Sequence, residues 1–299
     1  MKVRIGFGLG TLGAAADGAT FGAIVDALES LRFDSLWLSE RATGPTLDPM
    51  VALSVAAGRT TKMKLGTSVQ VLPGRNPVLL AKQWASLDVL SGGRALPAFG
   101  LGVVDPVEQQ AFGVAREERA SRFDEALPLL RRFWTEETVE HHGTWFDYDG
   151  VGIGVRPVQT PPDVWLGGRA PAELRRVGRL ADGWLPSFTT PAEVAAGQEA
   201  VLTAAEAAGR TIDPEHWGAL VAYAPAEIPP QVAELVAKRL PGVNPAEVVP
   251  VGHDALRQVL QRFIAVGFSK LVPVPFGSTI TDWETELRAL ATATLDLTT

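Results

Sequence analysis

Residues 7–13, FGLGTLG, decide between two folds. Gly8, Gly10 and Gly13 spell G-x-G-x-x-G behind an apolar run of Val3, Ile5 and Phe7 and ahead of a helical pattern. In an open dinucleotide-binding sheet the helix starts inside that motif, so that its first amides face a pyrophosphate. Here AAADGA (14–19) stands between Gly13 and the helix. The acidic residue that closes the second strand should come about 20 residues after the motif. Glu40 comes 27 residues after Gly13. With both context tests failed, the stretch reads as a glycine-rich loop between a strand and a helix, at the mouth of a barrel with room for a flat ligand.

The rest of the chain repeats strand then helix. Strand-like runs fall at 3–9, 33–40 (FDSLWLSE), 63–72, 94–102, 163–168, 182–187, 216–223 and 270–276. Helices follow with their own punctuation. Thr20 is placed to cap the first, Pro49 opens the second, and Asn76-Pro77 start the third, which Gly92-Gly93 stop. Phe123, Leu127, Leu130 and Trp134 lie on one face of a long helix. Pro171 and Pro191 open two more, and a last helix covers about 282–296. Eight alternating units predict one parallel (β/α)8 TIM barrel spanning residues 1–299. Two excursions interrupt it, at about 103–162 and 224–250.

Composition excludes several classes. Hydrophobic residues make up 46% and charged residues 20%, enough apolar mass for a large core. A net charge of −7 argues against nucleic acid and anionic membrane surfaces. No cysteine is present, which removes disulfides, thiolate chemistry and Cys-ligated zinc. No basic leader with an apolar core opens the sequence and no run is long enough to span a bilayer, so the expectation is a cytoplasmic protein.

Barrel chemistry sits at the C-terminal strand ends. These carry Gly8 and Gly10; Ser39, Glu40 and Arg41; Thr67, Ser68 and Val69; Gly100 and Gly102; Gly167, Gly168 and Arg169. WLGGRAP (165–171) combines free amides, a helix N-terminus and a guanidinium, which suits an anion. A tight turn with a solvated Arg169 is the alternative. No histidine falls at a strand end: His141 and His142 lie in the first excursion, His216 opens a strand at the bottom face, and His253 is placed as a helix cap. A metal site is therefore not expected. A G-x-S-x-G elbow is absent as well.

FDSLWLSE, LGTSVQVLPGRNPVLLAKQWASLDVLSGGR (65–94), FGLG, SRFDEALPLLRRFW, VWLGG and ADGWLP occur in that order. Together they resemble the luciferase-like monooxygenase superfamily, in particular the branch that uses the deazaflavin coenzyme F420. The resemblance implies the same barrel, a deazaflavin or flavin across its mouth, and a homodimer. It implies cofactor contacts at Gly8, Thr67, Ser68 and Val69, with a cis peptide at Ser68–Val69, and a phosphate seat at Gly167, Gly168 and Arg169. Many F420-dependent members carry Asp-His where this chain has Glu40-Arg41. A sugar-phosphate dehydrogenase of the family has a glutamate where this chain has Val103.

The expected function is hydride transfer between coenzyme F420 and a small organic substrate such as an enone, imine or alcohol. Glu40 would touch the cofactor ring or polarise the substrate. Arg41 would hold an anion or stabilise developing charge, a surface salt bridge being its alternative. An FMN-dependent monooxygenase and a cofactor-binding protein without catalysis are the rival readings.

Overall fold

The computed structural model describes residues 1–11, 17–276 and 280–299; Gly13 of the glycine motif lies outside them. In chain order, β1 (Arg4–Ile5) and β2 (Phe7–Leu9) form a split first strand, followed by α1 (Gly18–Leu31), β3 (Ser35–Leu38) and α2 (Pro49–Arg59). β4 (Lys64–Thr67) and β5 (Gln70–Val71) form the third strand, ahead of α3 (Pro77–Ser91). β6 (Ala95–Leu96) and β7 (Ala98–Gly100) form the fourth, leading through α4 (Pro106–Phe112) to α5 (Arg119–Thr135). A hairpin of β8 (Val139–His142) and β9 (Asp147–Val151) comes next. β10 (Trp165–Leu166), α6 (Pro171–Leu180), β11 (Gly183–Trp184), α7 (Pro191–Ala207) and β12 (Gly218–Tyr223) resume the alternation. α8 (Pro230–Arg239), α9 (Pro245–Val248), α10 (His253–Ala265), β13 (Lys270–Pro275) and α11 (Trp283–Thr294) complete it.

Pairing closes the ring. β2, β3, β4 and β6 are consecutive parallel neighbours, β5, β7, β10 and β11 continue the order, and β12, β13 and β1 return to the start. β11 joins β12 through bridges at Trp184–Trp217 and Ser187–Leu220. This is the eight-stranded parallel barrel that the alternation predicts. The long third and fourth strands are each broken in two. The Ser68–Val69 peptide is cis, as the resemblance implies, and it separates β4 from β5. Pro97, which has no N–H to give a ladder, separates β6 from β7.

Helix starts follow side chains that satisfy free amides. Asn76 caps α3 as expected, accepting from the Val78 and Leu79 N–H groups. The cap of α1 is Asp17, not Thr20. Asp17 accepts from the Thr20 N–H at 2.9 Å, so Thr20 is inside the first turn and its amide is the donor. Gly252 is the residue before α10, and His253 is the first helical residue.

Two cores hold the barrel. Trp37 and Trp165 meet edge to face inside it at 6.2 Å, packed with Leu96, Ala98, Leu185 and Val272. Between strands and helices lies a larger apolar layer that takes in Phe123, Leu127, Leu130 and Trp134 of α5. α5 packs against α3 and α6, so it belongs to the helix ring, and within 103–162 the excursion proper is α4 and the hairpin. In the second excursion Val232 and Val236 of α8, with Leu240 just after it, build a separate small cluster with Val248, Ala222 and Phe276.

Candidate active site

The C-terminal strand ends open into a cavity of about 1020 Å³. Its floor is the top layer of the interior core, where Val69, Leu220 and Val274 are half-buried. Val69 lies across two glycines of the neighbouring strand ends. A Cβ on Gly100 would lie 2.5 Å from Val69 Cγ2, and one on Gly167 3.3 Å from Cγ1. Ser39 Oγ donates to the Ser68 carbonyl at 3.1 Å and ties β3 to the cis peptide. The result is an apolar boss between small residues, a surface on which a planar ring can rest.

Glu40 lies in the wall, with its side chain 4% exposed. The Val71 N–H donates to its Oε2 at 2.7 Å, and Arg75 pairs with its Oε1. Burial pushes the carboxyl above its ordinary range, while the Arg75 guanidinium and the Val71 amide pull the other way. Arg75 in turn donates to the Val71 carbonyl at 2.8 Å, so the pair grips β5 from both sides.

Arg41 also lines the cavity, but carboxylates flank it: Asp105 at 3.4 Å and Glu108 at 3.2 Å. Glu108 is buried and accepts from the amides of Ala42 and Thr43 and from the Thr43 hydroxyl at 2.5 Å. Those bonds hold its pKa down against desolvation. Arg41 therefore belongs to a rim clamp that fastens the loop after β3 to α4. Arg119 acts similarly: its Nη1 reaches the carbonyls of Leu101, Gly102 and Val103 at 3.0–3.3 Å.

Gly167, Gly168 and Arg169 line the opposite side, before α6. Gly168 has φ +97°, a conformation that favours glycine, and a Cβ there would sit 2.8 Å from the Glu173 side chain. Glu173 Oε2 accepts from the Arg169 and Ala170 amides, each at 2.9 Å. The chain's own carboxylate thus fills the helix-start cradle. Sequence patterning shows the means: Glu173 is the third helical residue behind Pro171, the position from which a glutamate reaches back to the cap. Arg169 Nη1 comes within 4.0 Å of Glu193 Oε1.

Gly8 and Thr67 lie below the mouth rather than on the cavity wall. A Cβ on Gly8 would meet Val274 at 2.7 Å, so that glycine permits strand packing. The Thr67 hydroxyl donates to the Ala98 carbonyl at 2.7 Å and is fully buried. The wall also includes residues that sequence reading did not single out: Arg176, bonded to Asp124 at 2.5 Å, and Leu235 and Lys238 of α8. Long-range pairings and a helix folded back over the mouth leave no short-range pattern to find.

The histidines serve elsewhere. His141 pairs with Glu125, whose carboxylate also accepts from the Thr144, Trp145 and Phe146 amides and pins the hairpin to α5. His253 is not a cap: its Nε2 contacts Glu286 Oε1 at 2.8 Å, to which the Tyr223 hydroxyl also donates. Among the described residues, no group of three or more His, Cys, Asp or Glu side chains could hold a metal, and no helix is long and apolar enough to cross a membrane.

Comparison with known proteins gives a consistent kinship. The sequence is 32% identical over 161 residues to the phthiodiolone/phenolphthiodiolone dimycocerosates ketoreductase of Mycobacterium kansasii, covering 52% of this chain and 43% of that protein. It is 30% identical over 167 residues to the F420-dependent glucose-6-phosphate dehydrogenase of Kineococcus radiotolerans, covering 52% of this chain and 49% of that protein. Both alignments thus span less than half of the relative's own length. The fold superposes on an F420-dependent secondary alcohol dehydrogenase with a TM-score of 0.83 at 16% identity, over 100% of both chains. The sequence model of the luciferase-like monooxygenase family matches residues 4–263, and the chain belongs to that family.

Proposed function

We propose that the chain is an oxidoreductase that transfers a hydride between coenzyme F420 and a small organic carbonyl compound or alcohol. The observation that carries this reading is one cavity combining an apolar floor at Val69 with a cradle whose two amides hold an anionic oxygen. Kinship with an F420-dependent dehydrogenase supports the choice of cofactor. The residues present fit a flat ring with an anionic tail. The boss at Val69 gives the ring a support, and the Glu173 carboxylate oxygen occupies the place a phosphate oxygen would take. The cofactor, when bound, supplies the hydride-accepting or hydride-donating carbon.

The chain's own residues would do the rest. Val69, held between Gly100 and Gly167, orients the ring, with Ser68 and Ser39 fixing the peptide beneath it. Gly167, Gly168 and Arg169 hold the phosphate once Glu173 turns aside. Glu40, whose burial favours the protonated form, handles the proton that accompanies the redox step, oriented by Arg75 and the Val71 amide. Arg41 acts as a positioning residue, since Asp105 and Glu108 already neutralise it. Val103 leaves no carboxylate at the position where a sugar-phosphate dehydrogenase of the family has one, which favours a substrate other than a sugar phosphate.

The same reading includes a homodimer and a cytoplasmic location. Ala52, Ala56 and Trp84 are buried within the subunit, whereas Leu47, Val51, Val55 and Leu79 on and beside α2 and α3 are exposed, and these form the apolar face we assign to a second copy. Titration of the purified protein with F420 and with FMN, followed by fluorescence, tests the core of the proposal. F420 binding followed by cofactor-coupled turnover of a ketone is expected. Failure of F420 to bind overturns the proposal, and FMN binding alone redirects it to the monooxygenase reading.

A further inference from the structure

We propose that Lys238 selects an organic substrate bearing a carboxylate on an aliphatic body; this rests on reading the cavity as the substrate site. The phase of α8 makes the case first. Val232, Val236 and Leu240 recur at helical spacing and are buried in the small cluster of the second excursion. Leu235 and Lys238, one turn apart on the adjoining stripe, face the cavity instead. α8 is thereby fixed by its own core and presents one aliphatic and one cationic side chain to the ligand space.

Charge pairing makes the case second. The cavity wall carries four cations: Arg41, Arg169, Arg176 and Lys238. Asp105 and Glu108 flank Arg41, Asp124 binds Arg176, and Glu193 lies near Arg169. Lys238 pairs with no carboxylate among the described residues, in a chain whose net charge is −7. Its surroundings make the case third. Ala222 and Phe276, with Phe188 packed against them, belong both to the small cluster and to the cavity wall. An unpaired ammonium beside an apolar wall suits a ligand with the matching shape: an alkyl chain ending in an anion. The anion could come from the substrate or from the acidic tail of a cofactor. The apolar wall favours the substrate, because the cofactor's phosphate already has a seat two strands away, before α6.

Isothermal titration of the purified full chain with octanoate and with octan-1-ol, without cofactor, reads this directly. Octanoate should bind about tenfold more tightly than the alcohol, the change expected from one charge-assisted hydrogen bond at the low end of its range. Lys238→Ala should erase the difference and Lys238→Glu should reverse it. Lys238 is exposed and bonds to nothing among the described residues, so both variants keep the fold, which circular dichroism checks. Equal affinity for acid and alcohol in the parent, or a preference that survives Lys238→Ala, overturns the proposal. So does a Lys238→Ala variant that loses F420 affinity and keeps its octanoate preference, because the lysine then serves the cofactor tail. A retained octanoate preference in a protein that binds neither F420 nor FMN overturns only the redox reading.

Discussion

Removing the Glu173 carboxylate should weaken the protein slightly and strengthen its hold on cofactor. Glu173 Oε2 accepts from the Arg169 and Ala170 amides at 2.9 Å and so fills the cradle. Loss of such a cap costs about 0.5–2 kcal/mol. For a chain of 299 residues, about 1 kcal/mol moves Tm by roughly 2 °C. A phosphate that takes the cradle must first displace the carboxylate, so the same free energy is a tax on binding in the parent. Glu173→Ala should remove it and lower the Kd for F420 or FMN by about two- to thirtyfold, since 1.4 kcal/mol is tenfold. Glu173→Gln keeps an acceptor oxygen but drops the charge, and it should give a smaller gain. Fluorescence titration measures both Kd values and differential scanning fluorimetry measures Tm. Arg169→Ala in the same series should weaken binding if its guanidinium reaches the phosphate. A Glu173→Ala protein with reduced Tm and unchanged or weaker cofactor affinity would show that the phosphate sits elsewhere, and the cradle assignment would fail.

Four further outcomes are expected. Gly100→Ala puts a Cβ 2.5 Å from Val69 Cγ2 and should weaken cofactor binding, and the double variant with Val69→Ala should recover part of the loss in the same titration. Glu40→Gln should lower kcat by about a hundredfold or more while changing cofactor Kd little, and should remove one limb of the kcat–pH profile. The Glu286 carboxylate bonded to His253 raises that imidazole above its ordinary 6.5, so its stabilisation is complete below pH 6.5 and is lost as pH rises through the raised value. Glu286 is held below its ordinary 4.5 and stays ionised across that window, so urea midpoints should fall from pH 6 to pH 9, and fall less in His253→Gln. Val51→Asp with Leu79→Asp charges the exposed α2–α3 face and should convert a dimer to a monomer in analytical ultracentrifugation; an unchanged dimer mass would exclude that face.

The barrel is legible in the sequence because its signals are local. Asn76-Pro77 and Gly92 bracket α3 in the chain as they do in space. The eight strand-like runs keep their order around the ring. Where local signals mislead, a neighbour decides. Thr20 looks like a cap, but Asp17 starts the helix three residues earlier and uses the Thr20 amide as its donor. His253 looks like a cap because it precedes an apolar periodic run, yet its ring is claimed by Glu286, thirty-three positions away. The broken third and fourth strands do not show in the sequence pattern, since the apolar runs 63–72 and 94–102 continue across Val69 and Pro97 while the ladder does not.

The site is less legible than the fold for a reason that Arg41 and Glu40 make concrete. Sequence can place a charged residue at a strand end, but its chemistry depends on which opposite charge reaches it. Glu40 meets Arg75, and Arg41 meets Asp105 and Glu108, all supplied by segments that the second strand does not touch in sequence. Adjacent side chains of opposite sign have therefore been drawn in different directions. One is a buried carboxylate pushed up by desolvation; the other is a neutralised clamp at the rim. Arg169 and Glu173 make the same point at the cradle, where the amides expected to greet a phosphate already greet a carboxylate. Charge that has found a partner within the chain holds the mouth in shape, and charge left over is what a ligand can use. By that criterion the residues worth mutating first are Glu173, whose removal frees two donors, and Lys238, which pairs with no carboxylate among the described residues.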